Sequence, residues 1–513
     1  MTKEILAKTD LAEQVISKAK TDTIQGGTFY IVPPSKYGFY ENGAKPIVID
    51  VTPEQAVYLS SFINPDFLEN PQVWGDLELA LPYVVSRKEI GLEDIERIEQ
   101  GLLNLVGIPS IILKDPRFLD LLDRNLSETD KDKLEFSSYD PDKNYLTEAT
   151  IVRADLLLNK DDGVVFSCDP NLVPLGYSIV ENIAASIESQ TGIPVKARPD
   201  YIEGIHKLAS KYPNNISGIV TGLNYANWNS HAGLAKQIRD KHGDAFYVIP
   251  TEAMNSDGSV DFVKLNKFNL AFGIDAVDGT ISNIPGMLIR YVRETTNFHP
   301  ATEVTNASGI RLLETQIWGG LISLPGFVEI AGELGITPEQ IESARKIVSP
   351  SLIGKVENGK LLIAGGLSES APNGKVEFVW VEASQRLDIF ENALREARNK
   401  EKPNELTWYV KTFSTSGKKG VRFTNDGRID QAEKNILKIV GKMEIPGSSI
   451  FLIQPKIRSV INDPVTGDEL RVKIDLFLSL NTGKTVLVDY MATPISQRAA
   501  HGSSSTRIGL VTL

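Results

Sequence analysis

An α/β fold with a mostly helical N-terminal part is predicted by three features of the chain. From Ile216 onward, strand-like runs alternate with segments of helical period, the pattern of layered α/β proteins. The last third turns to strands that alternate apolar and polar side chains. The first ~145 residues instead place apolar side chains mostly at three- and four-residue spacing.

Each element has a local reason. Thr52-Pro53-Glu54 reads as a helix start, with a capping threonine and proline in the first turn. Leu92 to Leu105 keeps a helical period, and the polar stretch from Ser127 to Glu148 marks a boundary. Ala149–Leu158, Asp161-Asp162-Gly163 and Val164–Asp169 read as strand, turn and strand, with a helix near Ser178–Ser189. Strands follow at Ile219–Gly222, Phe246–Ile249 and Met287–Val292, and helices at Ser230–Lys241 and Gly309–Leu321. Further on come a strand at Val376–Val381, a helix at Arg386–Arg398, a strand at Thr407–Thr412, a helix at Asp430–Gly441 and a strand at Ile450–Gln454. Along Arg471–Leu480, Val472, Ile474, Leu476, Leu478 and Leu480 share one face and Arg471, Lys473 and Asp475 the other. Asn481-Thr482-Gly483-Lys484 is a hairpin turn into Thr485–Ala492.

Composition narrows the function classes. The chain has 54 basic and 66 acidic residues, a net charge of −12, so it lacks the basic footprint of a nucleic-acid binder. Its single cysteine, Cys168, cannot form an internal disulfide. The apolar stretch Ile317–Ile336 is broken by Pro325, Glu329 and Glu333, short of the ~18 apolar residues a spanning helix needs. The N-terminus has no apolar signal core. A cytoplasmic protein with no membrane or nucleic-acid partner is expected. There is no H-E-x-x-H spacing, so zinc is not expected.

Two constellations carry chemistry. The first is Arg153-x-Asp155 followed by Asp169-x-Asn171-x-x-Pro174-x-Gly176. Residues two apart on a strand share a face, and a turn at Gly163 can bring the two pairs together. Two carboxylates and an amide oxygen suit a hard cation such as magnesium. The same pattern also fits the polar face of an ordinary hairpin. The second is the strand Trp408–Phe413, presenting Lys411, which runs into Ser414-Thr415-Ser416-Gly417-Lys418-Lys419-Gly420. Backbone N–H groups of such a loop can wrap phosphate oxygens, with Lys411 as a point charge; a solvated hairpin tip is the alternative. The spacing is not that of a Walker P-loop.

Taken together, these residues resemble the ATP-grasp superfamily. The Lys411 strand and loop look like its nucleotide-binding motif, and Arg153, Asp155, Asp169 and Asn171 look like its Arg-x-Asp and Glu-x-Asn metal motif. The metal motif precedes the lysine loop here, which resembles the circularly permuted, glutathionylspermidine synthase-like bacterial members. Weaker similarities follow in the same order at Tyr177–Asn182, Thr221–Ala235, Arg290–Arg293, Ile453-Gln454 and Ser496–Ser505. The resemblance covers residues 147–513. It implies a permuted core split over 147–185 and 326–513, a pre-ATP-grasp α/β domain at 186–325, and an added mostly helical domain at 1–146.

The resemblance also implies roles. Lys411, Ser414, Ser416, Gly417, Lys418 and Gly420 would hold the phosphates of ATP, and Gln454 would lie beside adenine. Asp155, Asp169 and Asn171 would bind Mg2+. Arg153 would face the reacting phosphoryl or acyl group, and Arg290, Arg293 and His231 the carboxylate or amine substrate. The chain departs from the pattern in four places. Asp169 replaces a glutamate, Leu175 is inserted after Pro174, a second nucleotide lysine is not evident, and His501-Gly502-Ser503 replaces a glycine pair. The expected activity is an ATP-dependent carboxylate–amine ligation through an acylphosphate, releasing ADP and phosphate. The alternatives are a catalytically altered nucleotide-binding scaffold or regulator, and a small-molecule kinase on the same fold.

Overall fold

A computed structural model describes residues 28–31, 47–50, 83–87, 90–159, 163, 165–172, 177, 184, 200–221, 225–271, 275–291, 297–370, 374–398, 405–413, 421–424, 428–443, 445, 449–462, 469–494 and 507–512. The fold is mixed α/β, as the alternation predicts, and three larger sheets organise it. A separate antiparallel pair is formed by β1 (Thr28–Ile31) and β2 (Ile47–Asp50).

The seven-stranded sheet runs β3 (Tyr83–Ser86), β19 (Arg507–Thr512), β18 (Lys484–Pro494), β17 (Glu469–Ser479), β4 (Ile151–Leu158) and β5 (Val165–Asn171), with β16 (Val460–Asn462) also pairing with β17. Its pairs are antiparallel except β19 with β3. Both expected hairpins are present. Their turns contain Gly163 and Gly483 at φ of 70° and 68°, the left-handed region that glycine enters without a Cβ clash. The alternation along β17 sorts its faces as the sequence predicts, with Val472, Ile474, Leu476 and Leu478 buried in the main core.

That core is closed from the other side by helices. Ile95–Ile112 buries Ile98, Leu102, Leu105, Val106 and Ile112 against it. Pro116–Asn125 starts where the Asp115 side chain accepts the Arg117 N–H. Pro338–Arg345 starts at a capping box made by Thr337 and Gln340.

The six-stranded sheet is antiparallel, in the order β12 (Lys375–Glu382), β11 (Lys360–Ser370), β10 (Leu352–Glu357), β15 (Phe451–Pro455), β13 (Trp408–Lys411) and β14 (Val421–Phe423). The helices Leu387–Glu396 and Ile429–Val440 cover one face, where Phe390 meets Trp408 edge-on at 5.2 Å. The third sheet is parallel, β7 (Phe246–Pro250), β6 (Ser217–Thr221), β8 (Met287–Arg290) and β9 (Glu303–Thr305). The helices Asp200–Ala209 and Tyr225–His242 accompany it.

One expected element is different. Gly309–Leu321 is not a single helix but a 3-10 turn at Ile310–Leu312 and a short helix at Ile317–Ile322. The Trp318 indole N–H donates to the Leu312 carbonyl at 2.8 Å, which draws that carbonyl out of a helical ladder. The expected helices at Thr52-Pro53-Glu54 and around Ser178–Ser189 lie outside the described residues, Ala184 apart. Among the described residues no helix is long and apolar enough to cross a membrane.

Candidate active site on the polar face of the seven-stranded sheet

Register builds the site. Asp155 on β4 pairs with Asp475 on β17, and Asp475 pairs in turn with Asp489 on β18. On the other side Asp155 pairs with Asp169, and Arg153 with Asn171, on β5. Four aspartates on four consecutive strands therefore stand in one line across the sheet. The β4–β5 ladder shifts register between Asp155 and Leu156, where Ser167 and Asp169 take successive partners and Cys168 is the extra residue. A bulge of this kind re-aims the residues beyond it. It sets Asp169 opposite Asp155.

Two cations sit in the line. Lys473 Nζ lies 2.9 Å from Asp155 Oδ2 and 2.9 Å from Asp475 Oδ1. Arg153 Nε donates to Asp155 Oδ1 at 3.1 Å and lies 3.9 Å from Asp475 Oδ1. Burial disfavours the Asp155 carboxylate, but Arg153 and Lys473 outweigh it and hold the group well below the usual carboxylate range. Burial likewise disfavours the Lys473 ammonium, and Asp155 and Asp475 overcome it, raising its pKa. Asp475 and Asp489 are both 0% exposed. Burial pushes both carboxyls up, helped at Asp475 by Asp155 and at Asp489 by Asp475. Neither oxygen of Asp489 has a hydrogen-bond partner among the described residues.

The donor set is oxygen-rich, and Asp489 adds an orphaned buried carboxyl, the chemistry a hard divalent cation requires. Yet no group of three His, Cys, Asp or Glu side chains among the described residues is placed to hold a metal ion. Lys473 takes up the inter-carboxylate space beside Asp155. Sequence reasoning put Lys473 and Asp475 on a polar face without assigning them to this group, and passed over Asp489. The one local signal for Asp489 is a carboxylate inside the apolar run Val486-Leu487-Val488 to Tyr490-Met491-Ala492.

Further along the same face of β17 the charges are mixed, and Arg458 is paired there with Glu469 at 3.2 Å. Arg471, two residues before Lys473, lines a cavity of about 310 Å³ together with Glu405, Lys456, Ile457, Arg458, Ser459 and Val460. The cavity opens just past the end of β15. None of these residues was foreseen as a site residue, because the three cations come from two segments whose meeting depends on the β16–β17 pairing.

Lys411 lies at the end of β13 with Leu452 of β15 opposite, and Gln454 lies opposite Tyr409. Among the described residues Lys411 makes no ion pair. Gln454 is buried, and its amide donates to Ser351 Oγ at 2.6 Å. The cavity beside it, which also touches Ser167 and Pro170 next to Asp169, is about 20 Å³, room for about one water. The Gln454 side chain is therefore not open to a nucleobase in this conformation. Ser414, Ser416, Gly417, Lys418 and Gly420, and also Arg293, lie outside the described residues.

The remaining expected residues gather at the parallel sheet. Its order reverses between β6 and β8, and in open α/β sheets ligands bind beyond the strand ends at such a switch point. Thr221 ends β6 and Arg290 ends β8, with Val220 paired to Arg290. The Thr221 hydroxyl, His231 Nε2 and Arg290 Nε are buried without hydrogen-bond partners among the described residues. Burial lowers the His231 pKa to about 3, so its imidazole is neutral. The outer nitrogens of Arg290 are held by Glu135, at 2.6 and 3.1 Å. Glu135, at φ 55°, also accepts the Gly309 N–H at 3.0 Å. Arg290 is thus charge-compensated from within. An aromatic path joins this point to the carboxylate face. Phe477 of β17 meets Tyr177 at 5.7 Å, Tyr177 meets Tyr201 at 5.0 Å, and Tyr291 meets His231 at 4.2 Å. Tyr201 and Tyr291 interact through their hydroxyls.

No family model matches the sequence, and no curated protein matches it. Among solved structures, a glutathione synthetase-like effector from Globodera pallida aligns over 90% of this chain and 96% of its own, with 13% identity and a TM-score of 0.45. A protein assigned as a gamma-glutamylcysteine synthetase from Methylobacillus flagellatus aligns over 78% of this chain and 84% of its own, with 11% identity and a TM-score of 0.35. At these values the similarity stops short of a shared family.

Proposed function

We propose that the chain is an ATP-dependent carboxylate–amine ligase with a circularly permuted ATP-grasp core. One observation carries the reading: a cavity whose mixed lining includes Lys456, Arg458 and Arg471 and a line of carboxylates follow one another along the same face of β17. Arg471 belongs to the cavity, and Lys473 and Asp475 to the line. Residues two apart on a strand are about 7 Å apart, so a nucleotide seated in the cavity would direct its polyphosphate toward Asp155. The volume, about 310 Å³, lies in the range of small-molecule sites.

In this reading Arg471, Lys456 and Arg458 receive the nucleotide. Lys411 and the 414–420 loop close on its phosphates. Asp155, Asp169 and Asn171 hold Mg2+, which when bound neutralises phosphate charge. Arg153 sits beside Asp155, where negative charge develops during acyl transfer, and a guanidinium there stabilises it. The switch point receives the carboxylate or amine substrate, with Thr221, His231 and Arg290 as its polar lining. A neutral His231, whose Nε2 has no hydrogen-bond partner among the described residues, can accept a hydrogen bond from a substrate amine. The reaction joins a carboxylate, activated as an acylphosphate, to an amine, with ADP and phosphate released. Such chemistry on cytosolic ATP fits the expected cytoplasmic location.

The test is Mg2+-dependent ADP release against panels of amino acids, short peptides and polyamines, with the product identified by mass. An amide product supports the reading. A stable phosphorylated product with no amine incorporated would assign a kinase instead. A second reading has its own support. The Lys473 ammonium against Asp155 is compatible with a nucleotide-binding scaffold or regulator. ATP binding without ADP release under every substrate combination would favour it.

A further inference from the structure

The carboxylate line contains an asymmetry. Asp155, Asp475 and Asp489 face two cations, Arg153 and Lys473, and both cations lie toward the Asp155 side. Register shows what Lys473 can reach. It stands opposite Met491 on β18, so Asp489 is its diagonal neighbour there. On β4 its neighbour Ile474 stands opposite Leu156, which makes Asp155 the corresponding diagonal neighbour on the other flank. Diagonal neighbours lie about 7–8 Å apart between backbones, within the span of a long side chain. Lys473 therefore has a carboxylate at the same diagonal position on each flanking strand, β4 and β18. One, Asp155, is engaged at 2.9 Å. The other, Asp489, is fully buried and keeps both oxygens without hydrogen-bond partners among the described residues.

We propose that Lys473 is a two-position counter-ion, which holds Asp155 to Asp475 in the metal-free chain and moves to Asp475 and Asp489 when a divalent cation takes Asp155. The inference rests on the reading of Asp155, Asp169 and Asn171 as cation ligands. Its physical basis is simple. An ammonium and a divalent ion on one part-buried carboxylate repel. An ammonium with no other partner would block the metal. Asp489 supplies that partner without movement of any strand, because only the lysine side-chain torsions change.

The test uses the full-length protein and Mn2+ alone, without nucleotide, with free Mn2+ read by electron paramagnetic resonance. Lys473→Met is expected to bind Mn2+ at least about tenfold more tightly than the native chain. Asp489→Asn is expected to bind it about tenfold more weakly. In the Lys473→Met background, Asp489→Asn should change affinity less than about twofold, because Asp489 acts through the lysine. An equal loss in both backgrounds would make Asp489 an ordinary distant charge and overturn the inference. So would indifference of Mn2+ affinity to Lys473. If neither the native chain nor Lys473→Met binds Mn2+, the inference and the metal-ligand reading fall together. Should Lys473→Met not fold, a crystal structure of the native chain with Mn2+ decides. Lys473 Nζ in hydrogen-bond contact with Asp489 supports the proposal, and Nζ still on Asp155 overturns it.

Discussion

Lys473 and Asp155 stand 318 positions apart in the chain, yet their side chains close a 2.9 Å ion pair. The pair joins β17 to β4 at the centre of the carboxylate line. Lys473 also lies 2.9 Å from Asp475, so loss of the Asp155 charge leaves the ammonium one carboxylate. Asp155→Asn should therefore lower unfolding stability by about 1.5 kcal/mol, the loss of one charge-assisted contact, besides abolishing Mg2+-dependent ADP release. A double-mutant cycle with Lys473→Met, followed by urea denaturation, should return a coupling above about 1 kcal/mol. Additive effects would mean that the contact contributes nothing to the folded state.

Lys411 makes the opposite prediction. It is only partly buried and has no ion pair among the described residues, so little of the fold depends on its charge. Lys411→Ala should leave the melting temperature nearly unchanged and weaken ATP binding about tenfold or more, the loss of a charge-assisted contact. Calorimetric titration with ATP checks this. Unchanged affinity would remove Lys411 from the nucleotide site.

His231 gives a pH dependence with a definite sign. Burial lowers its pKa to about 3, whereas an unfolded chain has it near the ordinary value of about 6.5. Between these values the unfolded chain binds a proton that the folded chain does not. Stability from this residue is therefore complete above about pH 6.5 and is lost as pH falls toward 3. His231→Gln should show a smaller drop in melting temperature between pH 7 and pH 5 than the native chain. Equal drops would mean that the imidazole is protonated in the folded state.

Glu135 and Arg290 should behave as one unit. Their bidentate contact is buried, and Glu135 → Gln leaves the guanidinium without its counter-charge. A loss of about 3 kcal/mol on chemical denaturation is expected, with partial recovery when Arg290 is also changed to Met. If Arg290 instead serves chiefly as a free substrate ligand, Glu135→Gln would leave stability intact.

Local pattern was enough for much of the fold. The two-residue period of Val472, Ile474, Leu476 and Leu478 identified both the strand and its buried face. The Arg-x-Asp and Asp-x-Asn spacings anticipated that β4 and β5 would pair across a short hairpin, which sets Asp169 opposite Asp155 in register. What local pattern does not encode is which distant strand lies alongside. Asp475 is opposite Asp155 because β17 inserts between β18 and β4, a choice made by burial of the apolar face. Glu135 meets Arg290 across 155 positions with no periodic signal at either residue. Gln454 was expected at a nucleobase, but its amide is turned to Ser351, a side-chain choice that strand pattern leaves open.

The place of β17 between β18 and β4 has a consequence for biosynthesis. The β4–β5 hairpin leaves the ribosome long before residues 469–494, and until then Asp155 has neither its lysine nor a neighbouring strand on that side. The open edge of β4 is a template for wrong pairing in a nascent chain. Sheet closure is therefore a late, long-range event, and such topologies fold slowly. Ribosome-stalled chains ending before residue 469 should hold this hairpin in a protease-sensitive state, and chains that include β17 and β18 should protect it.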